Sequence, residues 1–143
     1  MSDRFFIDTN IFVYSFDVNQ SSKCAISRKL IQKALQEKTG CISTQVIQEF
    51  LNVSAKKFNP PLQAQDRIKY LDKVLAPLCR IYPSFELYRQ SIDISERWQY
   101  SFYDSLIIAA AIQANCSILY SEDMQHGQNI LLLTVKNPFL ISK

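Results

Sequence analysis

The chain has 143 residues, 48% of them hydrophobic and 20% charged, which is the composition of a folded globular protein and excludes a disordered one. This length suits one domain spanning residues 1–143 with a sizeable core. The formal net charge of +3 permits an anionic partner without requiring one. Because only two glycines are present, Gly40 and Gly127, a glycine-rich phosphate-binding loop is excluded.

Neither a membrane span nor an export signal is visible in the sequence. The longest unbroken apolar run, residues 106–112, is far shorter than the roughly 20 residues that cross a bilayer. The N-terminus lacks the basic start and apolar core of a signal peptide, so we expect a cytoplasmic protein. The four cysteines are widely spaced and His126 is the only histidine, which predicts free thiols and no histidine-based metal site.

The N-terminal segment places a carboxylate directly after a hydrophobic run. Phe5–Ile7 is typical of a strand that is buried on both faces, as in a parallel sheet. Asp8 then falls at the C-terminal end of that strand, where open α/β sheets bind ligands. A carboxylate between two apolar segments requires a hydrogen-bond donor or a cation, because its desolvation is otherwise costly.

Strand and helix patterns alternate along the rest of the chain, which predicts an α/β fold. Further strands are expected at residues 41–43, 79–82, 117–120 and 130–135, and helices at 10–15, 23–38, 44–58, 62–75, 85–98 and 103–115. Gly40 is predicted to end the second helix, and Pro77 to end the fourth, in which Ile68 is expected to face inward. The nearly all-apolar helix at 103–115 is predicted to be central.

Four acidic residues do not fit a solvated surface. They are Asp8, Glu49, Asp104 and Asp123, each of which lies in or beside an apolar run. Three fall at strand ends or helix starts, and Glu49 lies in the first turns of the helix after the second strand. In a parallel sheet these positions share the edge above the C-terminal ends of the strands.

Carboxylates gathered at one edge repel one another and raise each other's pKa unless a cation is present. Mg²⁺ or Mn²⁺ relieves that repulsion and prefers oxygen ligands. Such ions activate water and stabilise charge on a phosphodiester. The acidic cluster therefore predicts metal-dependent phosphoryl chemistry.

Each acid also has an ordinary structural interpretation. Asp8 can cap the following helix, and Asp104 stands three residues after Ser101, as in a capping box. Glu49 can face solvent on its helix, and Asp123 can be a turn acid. Taken singly, these interpretations stay open; together, four acids predicted at one edge favour a shared site.

Two neutral polar residues accompany the acids. Asn10 and Ser121 lie beside Asp8 and Asp123 and are suited to holding a carboxylate or a metal-bound water, or alternatively to local capping. Glu122, next to Ser121, is interpreted as an ordinary turn acid.

Several segments resemble the motifs of PIN-domain nucleases, and most closely those of toxin ribonucleases of the VapC type. The segments are Asp8-Thr9-Asn10, Gln48-Glu49-Phe50, residues 102–107 and residues 119–127. The resemblance implies a three-layer α/β/α fold with a parallel sheet of about five strands in the order 3-2-1-4-5. It extends over essentially the whole domain.

The same resemblance implies an endoribonuclease dependent on Mg²⁺ or Mn²⁺. Asp8 and Asp104 match the principal metal ligands, Glu49 and Asp123 complete the acidic cluster, and Asn10 and Ser121 match supporting polar residues. A metal-activated water is expected to attack the scissile phosphate in line, leaving a 5′-phosphate and a 3′-hydroxyl. Such toxins are usually homodimers that a small antitoxin protein holds inactive.

Two other classes of function remain alternatives. A phosphatase or a phospho-acceptor domain also places Asp at strand ends, and Lys136 after the last strand favours it. Against it, Asp8-Thr9-Asn10 is not a paired-aspartate nucleophile motif. A non-catalytic module of the same fold is the third possibility, although all four acids are present.

Overall fold

A six-stranded, mostly parallel sheet forms the centre of the computed structural model, which describes residues 3–141. The strands are β1 (Phe5–Ile7), β2 (Gly40–Ser43), β3 (Cys79–Ile81), β4 (Ile118–Tyr120), β5 (Asn129–Ile130) and β6 (Leu133–Lys136). They lie in the order β3-β2-β1-β4-β6-β5, and every pair is parallel except β5 and β6. The predicted α/β class is confirmed, and the strand order is similar to the predicted 3-2-1-4-5, with β6 in the place of the fifth predicted strand and β5 as a sixth strand at the edge.

Helices connect the strands and cover the sheet. They are α1 (Thr9–Tyr14), α2 (Ser21–Glu37), α3 (Thr44–Lys56), α4 (Ala64–Tyr70), α5 (Ala76–Leu78), α6 (Phe85–Trp98), α7 (Phe102–Gln113) and α8 (Pro138–Ile141). A π-helical turn at Leu71–Leu75 joins α4 to α5. Within the described residues, no helix combines the length and apolar character needed to cross a membrane.

The core lies on both sides of the two central strands. Every residue of β1 and β2 is buried, as expected of parallel strands covered by helices on both faces. Phe5 is paired with Gly40 on one side and with Ile118 on the other, which sets the register. Every residue from 107 to 111 in α7 is also buried, which confirms that this helix is central.

Gly40 does not end α2, so that prediction is wrong. The helix ends at Glu37, and Lys38 adopts the left-handed conformation with φ of 59°. Gly40 is instead the first residue of β2, and a Cβ atom there would lie 2.2 Å from the Cβ of Ala34. A glycine is required at this position because the helix packs directly against the strand backbone.

Pro77 does not end the fourth predicted helix, and Ile68 does not face inward. Pro77 lies in the first turn of α5, where its missing N–H is tolerated, and the helical path continues to Leu78. Ile68 is 60% exposed, and α4 buries none of its residues. The wider π-turn that follows shifts the apolar stripe by one position, so that Leu75 is buried and Ile68 is not.

The predicted last strand at 130–135 is a hairpin. Ile130 of β5 pairs antiparallel with Leu133 of β6, and the turn between them consists of Leu131 and Leu132. Leu131 has a φ of 57°, and Leu132 is 94% exposed. The turn could not be recognised from the sequence, because two leucines occupy positions where glycine or asparagine is usual.

Candidate active site

Asp8 leaves β1 at the sheet edge and is held on both carboxylate oxygens. Its backbone N–H donates to the carbonyl of Tyr120 at 3.0 Å, which ties the end of β1 to β4. Its Oδ1 accepts from the N–H of Thr9 at 2.7 Å, so it caps α1, and its Oδ2 accepts from the Oγ of Ser121 at 2.8 Å. Asp8 is only 6% exposed.

The environment of Asp8 disfavours its charged form. Burial raises its pKa most, and although the hydrogen bonds from Ser121 and Thr9 lower it, the net pKa is about 6. The negative charges of Glu49 and Asp123 add to the upward shift. A positive charge at this position would oppose both causes.

Glu49 reaches the same edge from α3. Its Oε1 accepts from the hydroxyl of Thr9, and its Oε2 accepts from the Nε2 of Gln45 at 3.1 Å. The same Nε2 donates to the carbonyl of Tyr103 at 3.2 Å, so Gln45 links α3 to the start of α7. Sequence reasoning did not single out Thr9 or Gln45.

Asp104 and Asp123 approach from α7 and from the loop after β4. The N–H of Asp104 donates to the Oγ of Ser101 at 3.1 Å, so the helix cap expected there is present. Burial raises the pKa of Asp104, and the charge of Glu49 raises it further. Burial also raises the pKa of Asp123, as do the charges of Asp104, Glu122 and Glu49, whereas a hydrogen bond from Asn10 lowers it.

Four separate segments therefore bring acids to one edge, where they act on each other electrostatically. Within residues 3–141, no three acidic, histidine or cysteine side chains are grouped closely enough to hold a metal ion by themselves. Mg²⁺ does not need three, since it usually binds one or two carboxylates and retains water molecules. The buried Oδ1 of Asn10 has no hydrogen-bond partner among the described residues. This all-oxygen set, with Asp8 disfavoured as an isolated anion, fits a hydrated divalent cation.

Glu122 is not the ordinary turn acid expected from the sequence. It accepts a hydrogen bond from the Tyr14 hydroxyl at 2.6 Å and forms an ion pair with Lys23. The Lys23 ammonium also lies 4.7 Å from the centre of the Tyr14 ring. Lys23 lies 99 residues away in sequence, so no local pattern could reveal the pair. It offsets a negative charge immediately beside Asp123.

Comparison with known proteins identifies one matching family model and several solved structures of similar fold. Residues 5–128 match the family model described as the PIN domain. No curated protein matches the chain. The match covers the segment that carries all four acids.

Three solved structures share the architecture. A toxin–antitoxin complex from Klebsiella pneumoniae has a TM-score of 0.65 and 18% identity, covering 93% of this chain and 96% of that one. VapC20 of Mycobacterium tuberculosis, a sarcin–ricin loop cleaving toxin, has a TM-score of 0.60 and 16% identity, covering 83% and 89%. VapBC2 from Rickettsia felis, bound to a promoter DNA fragment, has a TM-score of 0.60 and 20% identity, covering 92% and 96%. At these identities the likeness shows a shared fold.

Proposed function

The chain belongs to the PIN domain family, and we propose that it is a metal-dependent endoribonuclease serving as the toxin of a toxin–antitoxin pair. The observation that carries the proposal is the buried Asp8, whose pKa is raised to about 6 by burial and by the nearby charges of Glu49 and Asp123. A site that destabilises its own carboxylates is suited to binding a divalent cation. The similar structures include toxins and toxin–antitoxin complexes, which supports the same role.

In this proposal each residue at the edge has a separate task. Asp8 and Asp104 are the principal ligands of Mg²⁺ or Mn²⁺, Glu49 and Asp123 complete the acidic cluster, and Asn10 and Ser121 orient the carboxylates. When bound, the ion supplies Lewis-acid stabilisation of the phosphodiester and lowers the pKa of the attacking water. Hydrolysis leaves a 5′-phosphate and a 3′-hydroxyl. Thr9 and Gln45 hold Glu49 in place throughout.

The proposed partners are RNA, a small antitoxin protein and a second copy of the chain, all in the cytoplasm. Basic residues of α2 such as Arg28 and Lys29 are exposed and can attract the RNA backbone. Phe85 and Ile92 lie on one face of α6 and are 77% and 56% exposed, which is unusual for large apolar side chains unless another surface covers them. This face supports the proposed homodimer.

The geometry of Asp8 disfavours the phosphatase and phospho-acceptor alternatives. A phospho-acceptor aspartate needs one carboxylate oxygen that a phosphoryl group, which is much larger than a metal ion, can reach in line. Both oxygens of Asp8 accept hydrogen bonds from Thr9 and Ser121, and the residue is buried. A phosphorylated Asp8 would overturn the nuclease proposal.

The direct test is cleavage of structured RNA in the presence of Mn²⁺ by the wild type, Asp8→Asn and Asp104→Asn. Both substitutions are expected to reduce the cleavage rate by at least about a hundredfold, because each removes a charge from the cation site. Asp66→Asn is the matched control, since Asp66 lies exposed on α4, a helix that buries none of its residues. Equal cleavage by the wild type and both active-site variants would rule out this site.

A further inference from the structure

A cavity of about 330 Å³ lies immediately beside the acidic edge, between the start of α3 and helices α6 and α7. Its walls are mainly apolar and aromatic, and include Leu87, Tyr88, Phe102, Tyr103 and Leu106. None of its lining residues is charged. Ligand pockets range from roughly 300 to 1,000 Å³, so this cavity has room for one small planar group.

Two buried polar atoms belong to residues that line this cavity and lack partners. The Oγ of Ser43 and the Oε1 of Gln45 make no hydrogen bond with any described residue, although these residues are only 3% and 8% exposed. Ser43 occupies the N-cap position of α3, where a serine normally caps the helix, yet its side chain makes no such bond. A buried polar group without a partner is costly, so a ligand that formed a hydrogen bond with either atom would relieve that cost.

The free atom of Gln45 defines the chemistry of that ligand. Its Nε2 donates to two acceptors, the Glu49 carboxylate and the Tyr103 carbonyl, which assigns the orientation of the amide. The remaining Oε1 can only accept a hydrogen bond. The ligand must therefore present an N–H or O–H group to Gln45, while Ser43 can either donate or accept.

We propose that this cavity binds one unpaired nucleobase of the RNA substrate, next to the phosphate that is cleaved. A nucleobase is planar, stacks on aromatic side chains and carries N–H groups that suit Gln45. The absence of charge among the lining residues suits a neutral base and not a phosphate group. This inference rests on the proposed ribonuclease function and specifies its substrate as RNA with an unstacked nucleotide at the cleavage site.

Residues that line the cavity also contact the acidic edge or lie next to it in the chain. Gln45 holds Glu49 on one side and the Tyr103 carbonyl on the other. Phe102 and Tyr103 directly precede Asp104 in α7. A base bound here would place its own backbone phosphate at the acidic edge, whereas a base paired within a duplex could not enter.

The test measures binding without cleavage. Short single-stranded RNAs, each with one abasic position in turn, are titrated with the protein in EDTA and followed by fluorescence anisotropy. For the wild type, one abasic position is expected to weaken binding by about tenfold, the usual contribution of a stacked base. Leu106→Phe, which fills the cavity, and Ser43→Ala, which removes the free hydroxyl, are expected to reduce that difference.

Ser27→Ala is the matched control for Ser43→Ala. Ser27 is also a buried serine whose Oγ has no partner among the described residues, but it lies on α2 and not at the cavity. It is expected to leave the dependence on the base unchanged. Melting temperatures of all three variants verify that each is folded.

Separate outcomes overturn this inference and the proposed function. Wild-type binding that is the same at every abasic position would overturn the base site, as would an undiminished difference in both cavity variants. If a second copy of the chain covers the cavity, RNA binding will not depend on the abasic position, and Leu106→Phe will change the sedimentation coefficient. That result also overturns the base site. Base-dependent binding in EDTA by a protein that cleaves no RNA with Mn²⁺ supports the site while refuting the nuclease proposal.

Discussion

Asp8 combines two roles that are usually alternatives for an aspartate. It caps α1 through Thr9, and it is also a buried carboxylate whose pKa is raised to about 6. The cap and the hydrogen bond from Ser121 satisfy its oxygens, but they do not compensate for the loss of water and the nearby negative charges. Asp8 therefore lowers the stability of the metal-free protein at neutral pH.

The stability of the metal-free protein is expected to fall as the pH rises from about 4 to 6. The pKa of Asp8 is about 6 in the folded chain, against an ordinary aspartate value of 3.8, so below pH 3.8 the residue is protonated in both the folded and unfolded states and has no effect. Above pH 6 the folded state must hold a charge that it disfavours, at a cost of about 3 kcal/mol. Urea denaturation in EDTA across this pH range measures the effect.

Asp8→Asn provides the matched comparison for that titration. The variant removes the charge but loses one accepted hydrogen bond worth about 1 kcal/mol, so it is expected to be more stable than the wild type by about 2 kcal/mol at pH 7. Near pH 4 the charge penalty is nearly gone while the lost hydrogen bond remains, so the variant is expected to be slightly less stable than the wild type. A constant difference at both pH values would show that Asp8 does not titrate in this way.

Sequence reasoning singled out the acids and the neighbouring Asn10 and Ser121, but not the more distant side chains that hold Glu49 and Glu122. Asp8 and Asp104 could be identified because their apolar neighbours lie beside them in the chain. Thr9 lies 40 residues from Glu49, and Lys23 lies 99 residues from Glu122, so those pairs depend on the completed fold. The free atoms of Ser43 and Gln45 were hidden for the same reason, because a missing partner is a property of three-dimensional packing.

At the scale of secondary-structure elements, regular periodicity gave correct predictions and unusual junctions did not. The predicted helix at 85–98 agrees with α6, whose capping serine, Ser84, lies immediately before it. Gly40 was misassigned because a glycine shortly after a helix, here three residues beyond Glu37, suits both a helix end and a close contact with the next strand. The β5–β6 hairpin was missed because its turn is hydrophobic.

Gly40→Ala tests the contact between α2 and β2. The added Cβ would lie 2.2 Å from the Cβ and 2.9 Å from the Cα of Ala34, so the helix must move away from the strand. We expect a destabilisation of about 3 kcal/mol, at the upper end of the range for overpacking. Urea denaturation measures the loss.

The matched variant for this contact changes the opposite side. Ala34→Gly alone is expected to lower the free energy of unfolding by about 1 kcal/mol, because glycine destabilises the interior of a helix. Combined with Gly40→Ala, it removes the closest clash and is expected to restore part of the lost stability. Additive effects of the two substitutions would contradict direct packing between these residues.

At the scale of the whole molecule, the parallel topology assembles the acidic edge. Strands β2, β1 and β4 are neighbours and run in the same direction, so their C-terminal ends share one edge. Asp8 and Asp123 follow two of these strands, and Glu49 lies in the helix after the third. The mutual repulsion of the acids opposes folding, and a cation bound between them would favour it. Binding of a cation at this edge would therefore raise the stability of the folded chain.

Mn²⁺ is expected to raise the melting temperature of the wild type at pH 7. An ion at 100 times its dissociation constant stabilises the folded state by about 2.7 kcal/mol, which corresponds to roughly 5 to 10 °C for a chain of this size. Differential scanning calorimetry with and without EDTA measures the shift. Asp8→Asn and Asp104→Asn are expected to start from a melting temperature at or above that of the metal-free wild type and to gain little from Mn²⁺.

Asp66→Asn, with the same loss of charge on exposed α4, is the control and is expected to respond to Mn²⁺ as the wild type does. An equal shift in all four proteins would locate the ion elsewhere, and no shift in the wild type would remove the basis for a metal-dependent mechanism.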